Sequence, residues 1–399
     1  MDLDKNISLN EDIHSNKFLF NTQLSVNETN KSLDSSIQLT NFFPQKQIAL
    51  LDLDYFFAQC ETIRNPLIKD LPVVIIVQTI RGSGAVATCN YLARDLKIRS
   101  GMVLSLAKKL ANNETIFINA DKQYYTQISL KVFEIIDFFC DSVEQTSIDE
   151  AYLDLTNPLG FEKAQKICLN IKNKLKNDLG LSCSIGLSFN KLLAKMACEE
   201  KKPDGFTIIP YSKKDDFLLK KNVKKIHGVG PNLELLLKNI GVYKIGDLRK
   251  IHLEKLIELF GESKGSMLYN YSRGIDDRVI IVNREKQQIS RMITLKKDSI
   301  VFDEIKNSLD FLCEIVFNES KKLQKQFKTC SLIVIESDFE TITRSKTFDG
   351  KIDFEKFKEI IYFLLRDYIS DSTKLIRRVG VRISNFDEDY GFQKKLLDF

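Results

Sequence analysis

The stretch "TSIDEAYLDL", residues 146–155, sets two carboxylates side by side, Asp149 and Glu150, between short apolar and β-prone runs. Adjacent like charges raise each other's pKa unless a positive charge offsets them. Such pairs are common on solvated turns, so this one alone defines no site. A further carboxylate on another apolar strand changes the reading, because a divalent ion such as Mg²⁺ binds through one or two carboxylates together with substrate phosphates. The run "QIALLDLDYFFAQCE", residues 47–61, supplies it, being interrupted only by Asp52 and Asp54 before its helix-like end. Carboxylates on buried strands are costly unless paired or metal-bound. Acidic positions on two such strands therefore suggest one metal site, suited to two ions about 4 Å apart that flank an in-line phosphoryl displacement. Strict alternation puts Asp52 and Asp54 on one face and Leu53 on the other. Asp52 is then the better ligand, and Asp54 is either a second one or a structural partner.

The elements that must position these groups can be read along the chain. Its 399 residues, 43% hydrophobic and 28% charged, fit a globular protein of about two to four compact modules. No apolar run reaches the roughly 18 residues of a membrane span, and no basic flank followed by an apolar stretch marks a secretory signal. Eight scattered cysteines without a C-x-x-C pattern, and only three histidines, argue against zinc and for reduced thiols in a cytoplasmic protein. The net charge of +5 is uneven: residues 1–45 carry −3, leaving +8 for the rest, a sign compatible with a polyanionic partner. Residues 1–45, rich in Asn, Ser, Asp and Thr, read as a disordered extension. Strands and helices then alternate to about residue 210, an α+β layout around the two acidic strands. Short helices with glycine breaks follow from 212 to 275, and a charged connector leads to a last module. That module reads strand (288–295), helix (303–327), strand (330–337), strand (340–348), helix (353–370), strand (374–386), a βαββαβ order.

"DLDYFFAQCE", "GSGAVATCNYLAR", "SIDEAYLDL" and "LSFNKLLAKMA" followed by "KPDG" stand in the order and approximate spacing of a Y-family (translesion) DNA polymerase. The resemblance is closest to the bacterial members of that family and their archaeal relatives, and it covers residues 46–399. It implies a right hand: palm and fingers over 46–207 (fingers about 55–119), a helical thumb with a helix-hairpin-helix over 208–276, a linker over 277–288, and a little finger over 289–386. By the same resemblance Asp52, Asp149 and Glu150 are the catalytic carboxylates. They hold two Mg²⁺ ions with the Leu53 carbonyl, and Asp54 stands off the metals. Thr88, Tyr91, Arg94 and Lys191 match positions that hold the triphosphate of a dNTP, and a guanidinium such as that of Arg94 can grip phosphate oxygens bidentately. Phe56 and Phe57 are assigned to the nucleotide as well. Phe57 is the steric gate whose ring leaves no room for a ribose 2′-hydroxyl. Ala85 and Ala87 match the roof over the nascent base pair, where small side chains favour tolerance of damaged templates over accuracy.

In "HGVGPNLELLLKNIG", Gly228 and Gly230 let backbone N–H groups approach a DNA phosphate at a helix N-terminus, without base readout. In the last module Arg291, Lys296, Lys297, Arg344, Lys346, Arg377, Arg378 and Arg382 are candidates for the duplex backbone. Some of them must be plain solvated charges, since 15 acids accompany 18 bases over 289–386. The tail "DEDYGFQKKLLDF" carries Gln393, Leu396, Leu397 and Phe399, which resemble the clamp-binding peptide that ends bacterial members of the family. The expectation is a monomeric, template-directed, low-fidelity DNA polymerase without a proofreading module. Two rivals remain: a palm-fold nucleotide cyclase, disfavoured because no Gly-Gly-Asp/Glu-Glu-Phe hairpin occurs, and a non-catalytic polymerase-like scaffold, disfavoured because the acids are present.

Overall fold

In a computed structural model, residues 46–78, 81–282 and 285–386 are described. The N-terminal extension and the tail residues Gln393, Leu396, Leu397 and Phe399 lie outside them. The first described elements are β1 (Ile48–Leu53), α1 (Phe56–Arg64), β2 (Val73–Gln78), β3 (Gly84–Cys89), α2 (Tyr91–Asp95), α3 (Leu104–Leu110) and β4 (Ile116–Asn119). Then come α4 (Lys122–Phe139), β5 (Val143–Gln145), β6 (Glu150–Asp154), α5 (Gly160–Leu179), β7 (Cys183–Ser188), α6 (Lys191–Cys198) and β8 (Phe206–Ile208).

A five-stranded sheet of order β5-β6-β1-β7-β8 puts β1 at its centre, antiparallel to β6 and β7. The apolar sequence of β1 has a simple cause: both its faces are covered. Ala49, Leu51 and Leu53 join Ile136, Ile171 and Leu175 of α4 and α5, while Ile48 and Leu50 join Tyr152, Ala194 and Cys198 beneath α6. By the same alternation Asp52 and Glu150 belong to the α6 side, and they stand directly opposite each other in the β1–β6 register. Gly186 lets α6 lie close on the sheet, since a Cβ there would come 2.1 Å from the Ala194 carbonyl oxygen.

A second sheet, β3-β2-β4, packs α2 and α3 around Val74, Val86, Ile98 and Leu104. Beyond it lie the helices α7 (Lys214–Leu219), α8 (Pro231–Asn239), α9 (Ile245–Leu248), α10 (Leu253–Phe260) and α11 (Glu262–Ser272), which enclose Leu218, Leu237, Leu256 and Leu268.

The last module follows the expected βαββαβ order: β9 (Gln288–Ser299), α12 (Phe302–Lys322), β10 (Phe327–Glu336), β11 (Thr341–Thr347), α13 (Phe354–Asp371) and β12 (Ile376–Phe386). Its sheet order is β11-β10-β12-β9, with α12 and α13 packed on one face. Helix α12 stops at Lys322, short of the expected 327, because Gln324 takes a left-handed φ of 54° and Phe327 is drawn into the module's core. No helix among the described residues is long and apolar enough to cross a membrane. All eight cysteines are free and buried.

Candidate active site

Asp52 and Glu150 leave the ends of β1 and β6 under α6, and each meets a lysine. The Lys202 ammonium lies 2.7 Å from Asp52 Oδ2. Lys195 of α6 donates to Glu150 Oε2 at 2.6 Å, and the Thr146 hydroxyl donates to Oε1 at 3.0 Å. Asp149, in the turn before β6, accepts from the Ser147 hydroxyl. Like charges this close separate onto individual partners. Burial pushes the Asp52 carboxyl up to about 7; Lys202 opposes the shift, and the charges of Glu150 and Asp149 add to it. Burial also works to raise Glu150, but the hydrogen bond and charge of Lys195 outweigh it and hold that carboxyl below its ordinary value. Asp52 and Glu150 are thus each offset by a lysine that the sequence does not single out. A tighter carboxylate trio, Glu336, Asp338 and Glu340, lies in the last module, but its oxygens surround the Lys374 ammonium at 2.8–2.9 Å.

Asp54 answers the question left by strand alternation. The strand ends at Leu53 and Tyr55 turns into the left-handed region (φ 37°), which sinks Asp54 to 1% exposure. Its carboxylate accepts from the Ser184 hydroxyl at 2.7 Å, the Ser182 hydroxyl at 3.0 Å and the Asp204 N–H at 2.8 Å. Buried and holding three hydrogen bonds, Asp54 is a structural partner that ties β1 to β7.

Beside Asp52 opens a cleft of about 230 Å³ whose walls include Phe57, Ala87, Thr88, Tyr91, Arg94 and Lys202. A bulge brings Ala87 and Thr88 to it together. Thr88 pairs with Ile75 and Val86 with Ile76, so Ala87 is the extra residue and Thr88 keeps to the cleft side while Val86 and Cys89 stay buried. Ala85 shares that side of β3 and bridges to Val103. Arg94 lies over the Tyr91 ring at 4.6 Å, and Tyr91 meets Tyr55 edge-on. The Phe57 ring stacks on Tyr125 at 4.4 Å, and Tyr125 is fixed by its hydroxyl, which donates to Glu61 at 2.7 Å.

Two expectations for the nucleotide site need correction. Lys191 is away from the cleft: it is 4% exposed, ion-paired with Glu144, and donates to the Val279 carbonyl at 2.7 Å. The lysine in the cleft is Lys202, from the "KKPDG" segment. Phe56 also lines the cleft, but it is only 2% exposed and packs in the core beneath, so it has little surface to offer a ligand.

The candidate DNA contacts divide by strand parity. Gly228 has a φ of 93° and Gly230 caps α8, with Pro231 at its first turn. In the last module, Arg378 and Arg382 alternate with the buried Val379, Val381 and Ile383, so they stand on the sheet face opposite α12 and α13. Arg291 and Arg344 are corrected to the helix-covered side, because they share parity with the core residues Ile289, Ile293 and Ile342. Arg291 pairs there with Glu319, and Arg344 with Asp371 at 2.9 Å. Lys346 lies over Phe363 of α13 and Arg377 over Phe339, both at 5.0 Å, while Lys296 and Lys297 line a cavity beside α12.

Comparison with known proteins gives this geometry a family. Residues 51–199 match the impB/mucB/samB family, 224–276 the DNA polymerase-iota thumb domain, and 286–396 the impB/mucB/samB C-terminal domain. DNA polymerase IV of Nitrosopumilus maritimus is 36% identical over 348 residues, covering 86% of this chain and 96% of that one. The fold is similar to the Y-family polymerase chimera Dbh-Dpo4(243-245)-Dbh (TM-score 0.80, 28% identity, 85% of this chain and 98% of that one). It is also similar to an insertion ternary complex of Dbh DNA polymerase (TM-score 0.65, 28% identity, 85% and 98%). The chain belongs to the Y-family of translesion DNA polymerases. It is a DNA-directed DNA polymerase with the right-hand fold of that family, including a thumb and a little finger.

Proposed function

We propose that the cleft beside Asp52 is where a dNTP is joined to a primer terminus, with palm and fingers over 46–207, thumb over 208–276 and little finger over 289–386. The observation that carries this reading is the Asp52–Glu150 register, which sets two carboxylates face to face where Asp52 lines a cleft that also holds Arg94, Tyr91 and Thr88. Carboxylates are hard oxygen donors, the kind that Mg²⁺ takes, and a bound divalent ion would favour the charged form of Asp52 that burial opposes. Two Mg²⁺ ions held by Asp52, Asp149, Glu150 and the Leu53 carbonyl would acidify the primer 3′-hydroxyl and offset charge on the leaving pyrophosphate.

The chain's own residues supply the rest. Arg94, Lys202, Tyr91 and Thr88 bind the triphosphate, the guanidinium and ammonium by charge and the hydroxyls by donation. The N–H groups that open α1 have no side-chain cap and add donors at the same end of the cleft. Phe57, held flat by Tyr125, walls the sugar. Ala85 and Ala87 leave space above the nascent pair, which suits templates of irregular shape. Gly228, Gly230, Arg378 and Arg382 meet phosphates of the duplex, contacts that carry no base readout. Lys195 keeps Glu150 charged, and Lys202 opposes the protonation that burial favours at Asp52, until the substrates arrive.

Glu150→Ala should abolish primer extension: a metal at the reacting oxygens supplies several kcal/mol, about 10³-fold or more in rate. Its melting temperature should hold. Asp54→Ala should do the reverse in its first effect, losing about 1–3 kcal/mol of stability in denaturant titration as buried donors lose their acceptor. Extension by the Glu150→Ala protein at near wild-type rate would refute the assignment.

Phe57→Ala should admit ribonucleotides. Without a wall, an apolar pocket rejects an added hydroxyl by only about 10²-fold, so the dNTP/rNTP ratio of kcat/KM should fall to that level or below. An unchanged ratio moves the gate to another residue.

We also propose that the tail, through Gln393, Leu396, Leu397 and Phe399, docks on a sliding clamp and raises the effective concentration of the enzyme at the primer. Deleting residues 393–399 should leave synthesis on naked primer–template unchanged and remove stimulation by a loaded clamp. Equal stimulation of both proteins would dismiss the idea.

A further inference from the structure

Lys191 and Glu144 are the buried ionic pair that the nucleotide site does not use. They are 4% and 6% exposed, and a charged pair in such a place is costly unless its remaining hydrogen-bonding positions are filled. One segment fills one such position on each partner, the connector between the helical module and the last module. Lys191 donates to the Val279 carbonyl at 2.7 Å, and the Ile281 N–H donates to Glu144 Oε2 at 2.8 Å. Between these two bonds Ile280 packs against Ile48, Leu50 and Tyr152 on the outer face of the five-stranded sheet. Upstream, Asn190 donates to the Gly274 carbonyl and the Leu192 N–H donates to Asp276, each at 2.8 Å. The connector is therefore stitched from 274 to 281 along the N-terminus of α6 and the edge strand β5.

We infer that Lys191 and Glu144 form a clasp that fixes the connector to the sheet carrying the catalytic carboxylates, and so act as positioning residues for the little finger on DNA. Tether length gives the size of the effect. From Ile281 to the start of β9 at Gln288 the chain can span at most roughly 23–25 Å. Released back to Asp276, which the Leu192 N–H still holds, it could span roughly 1.7 times that. Effective concentration falls about as the −3/2 power of tether length, so release should lower it roughly twofold. This size rests on the reading that the little finger grips the duplex; the clasp itself does not.

The test uses the full chain with spin labels at Lys166→Cys on α5 and Glu314→Cys on α12, both exposed positions, the eight native cysteines being buried. Glu144→Leu/Lys191→Met removes the pair without leaving a lone buried charge. Ile280→Asn, a second variant, leaves the pair intact and unseats the connector from the sheet. In either variant that retains a cooperative melt, the label-to-label distance distribution should broaden. Primer–template should dissociate about twofold faster, while the single-turnover insertion rate of already bound enzyme stays unchanged. A distribution as narrow as wild type in a folded variant overturns the clasp. Broadening with unchanged dissociation upholds the clasp and instead contradicts the little finger's grip on the duplex.

Discussion

Carboxylates crowded onto the ends of two neighbouring strands repel one another, and much of the molecule is arranged so that they can stay there. Asp52 and Glu150 are fixed opposite each other by backbone pairing, so neither can relax by sliding along its strand. The offsetting charge comes from above, where α6 and the turn after it bring Lys195 and Lys202 down on the same face. That approach depends on Gly186, which has no Cβ to hold the helix off. The helix in turn anchors the connector through Asn190, Lys191 and the N–H of Leu192. One element thus serves the charge balance of the site and holds the connector that leads to the last module.

The cleft beside these carboxylates joins a rigid wall to an open one. Phe57 is backed by Tyr125, itself fully buried and held by Glu61, so the ring cannot yield without disturbing the core. Across the cleft, the bulge in β3 presents Ala87 and Thr88 in succession, with little side-chain bulk above the site. On the proposed reading, strict selection at the sugar and tolerance at the base follow from the same pocket. That combination suits synthesis on damaged templates.

Period-two alternation and the two acidic runs were enough to bring out the carboxylates that the fold sets opposite each other, Asp52 and Glu150, and the βαββαβ module was legible from its element order. Alternation failed where strands end or bulge. Asp54 shares the parity of Asp52, yet the left-handed turn at Tyr55 redirects it to Ser182 and Ser184. Lys191 was given the role that Lys202's position in the cleft supports, because both lie near one motif and only the fold separates a clasp from a ligand. The signal available was Lys191 and Lys195, four residues apart on an otherwise apolar helix, which puts both ammonium groups on one face. Arg291 and Arg344 could have been set apart from Arg378 and Arg382 by their parity with Ile289 and Ile342.

The central claim is that Asp52, Asp149 and Glu150, not the tighter trio around Lys374, hold the divalent ions. The direct measurement is Mn²⁺ uptake, followed by loss of the free-ion electron paramagnetic resonance signal as protein with bound primer–template and dNTP analogue is added. The expected result is that Asp52→Asn/Glu150→Gln abolishes uptake, while Glu336→Gln/Glu340→Gln leaves it as in wild type. Undiminished uptake by the first variant, with loss in the second, would contradict the account.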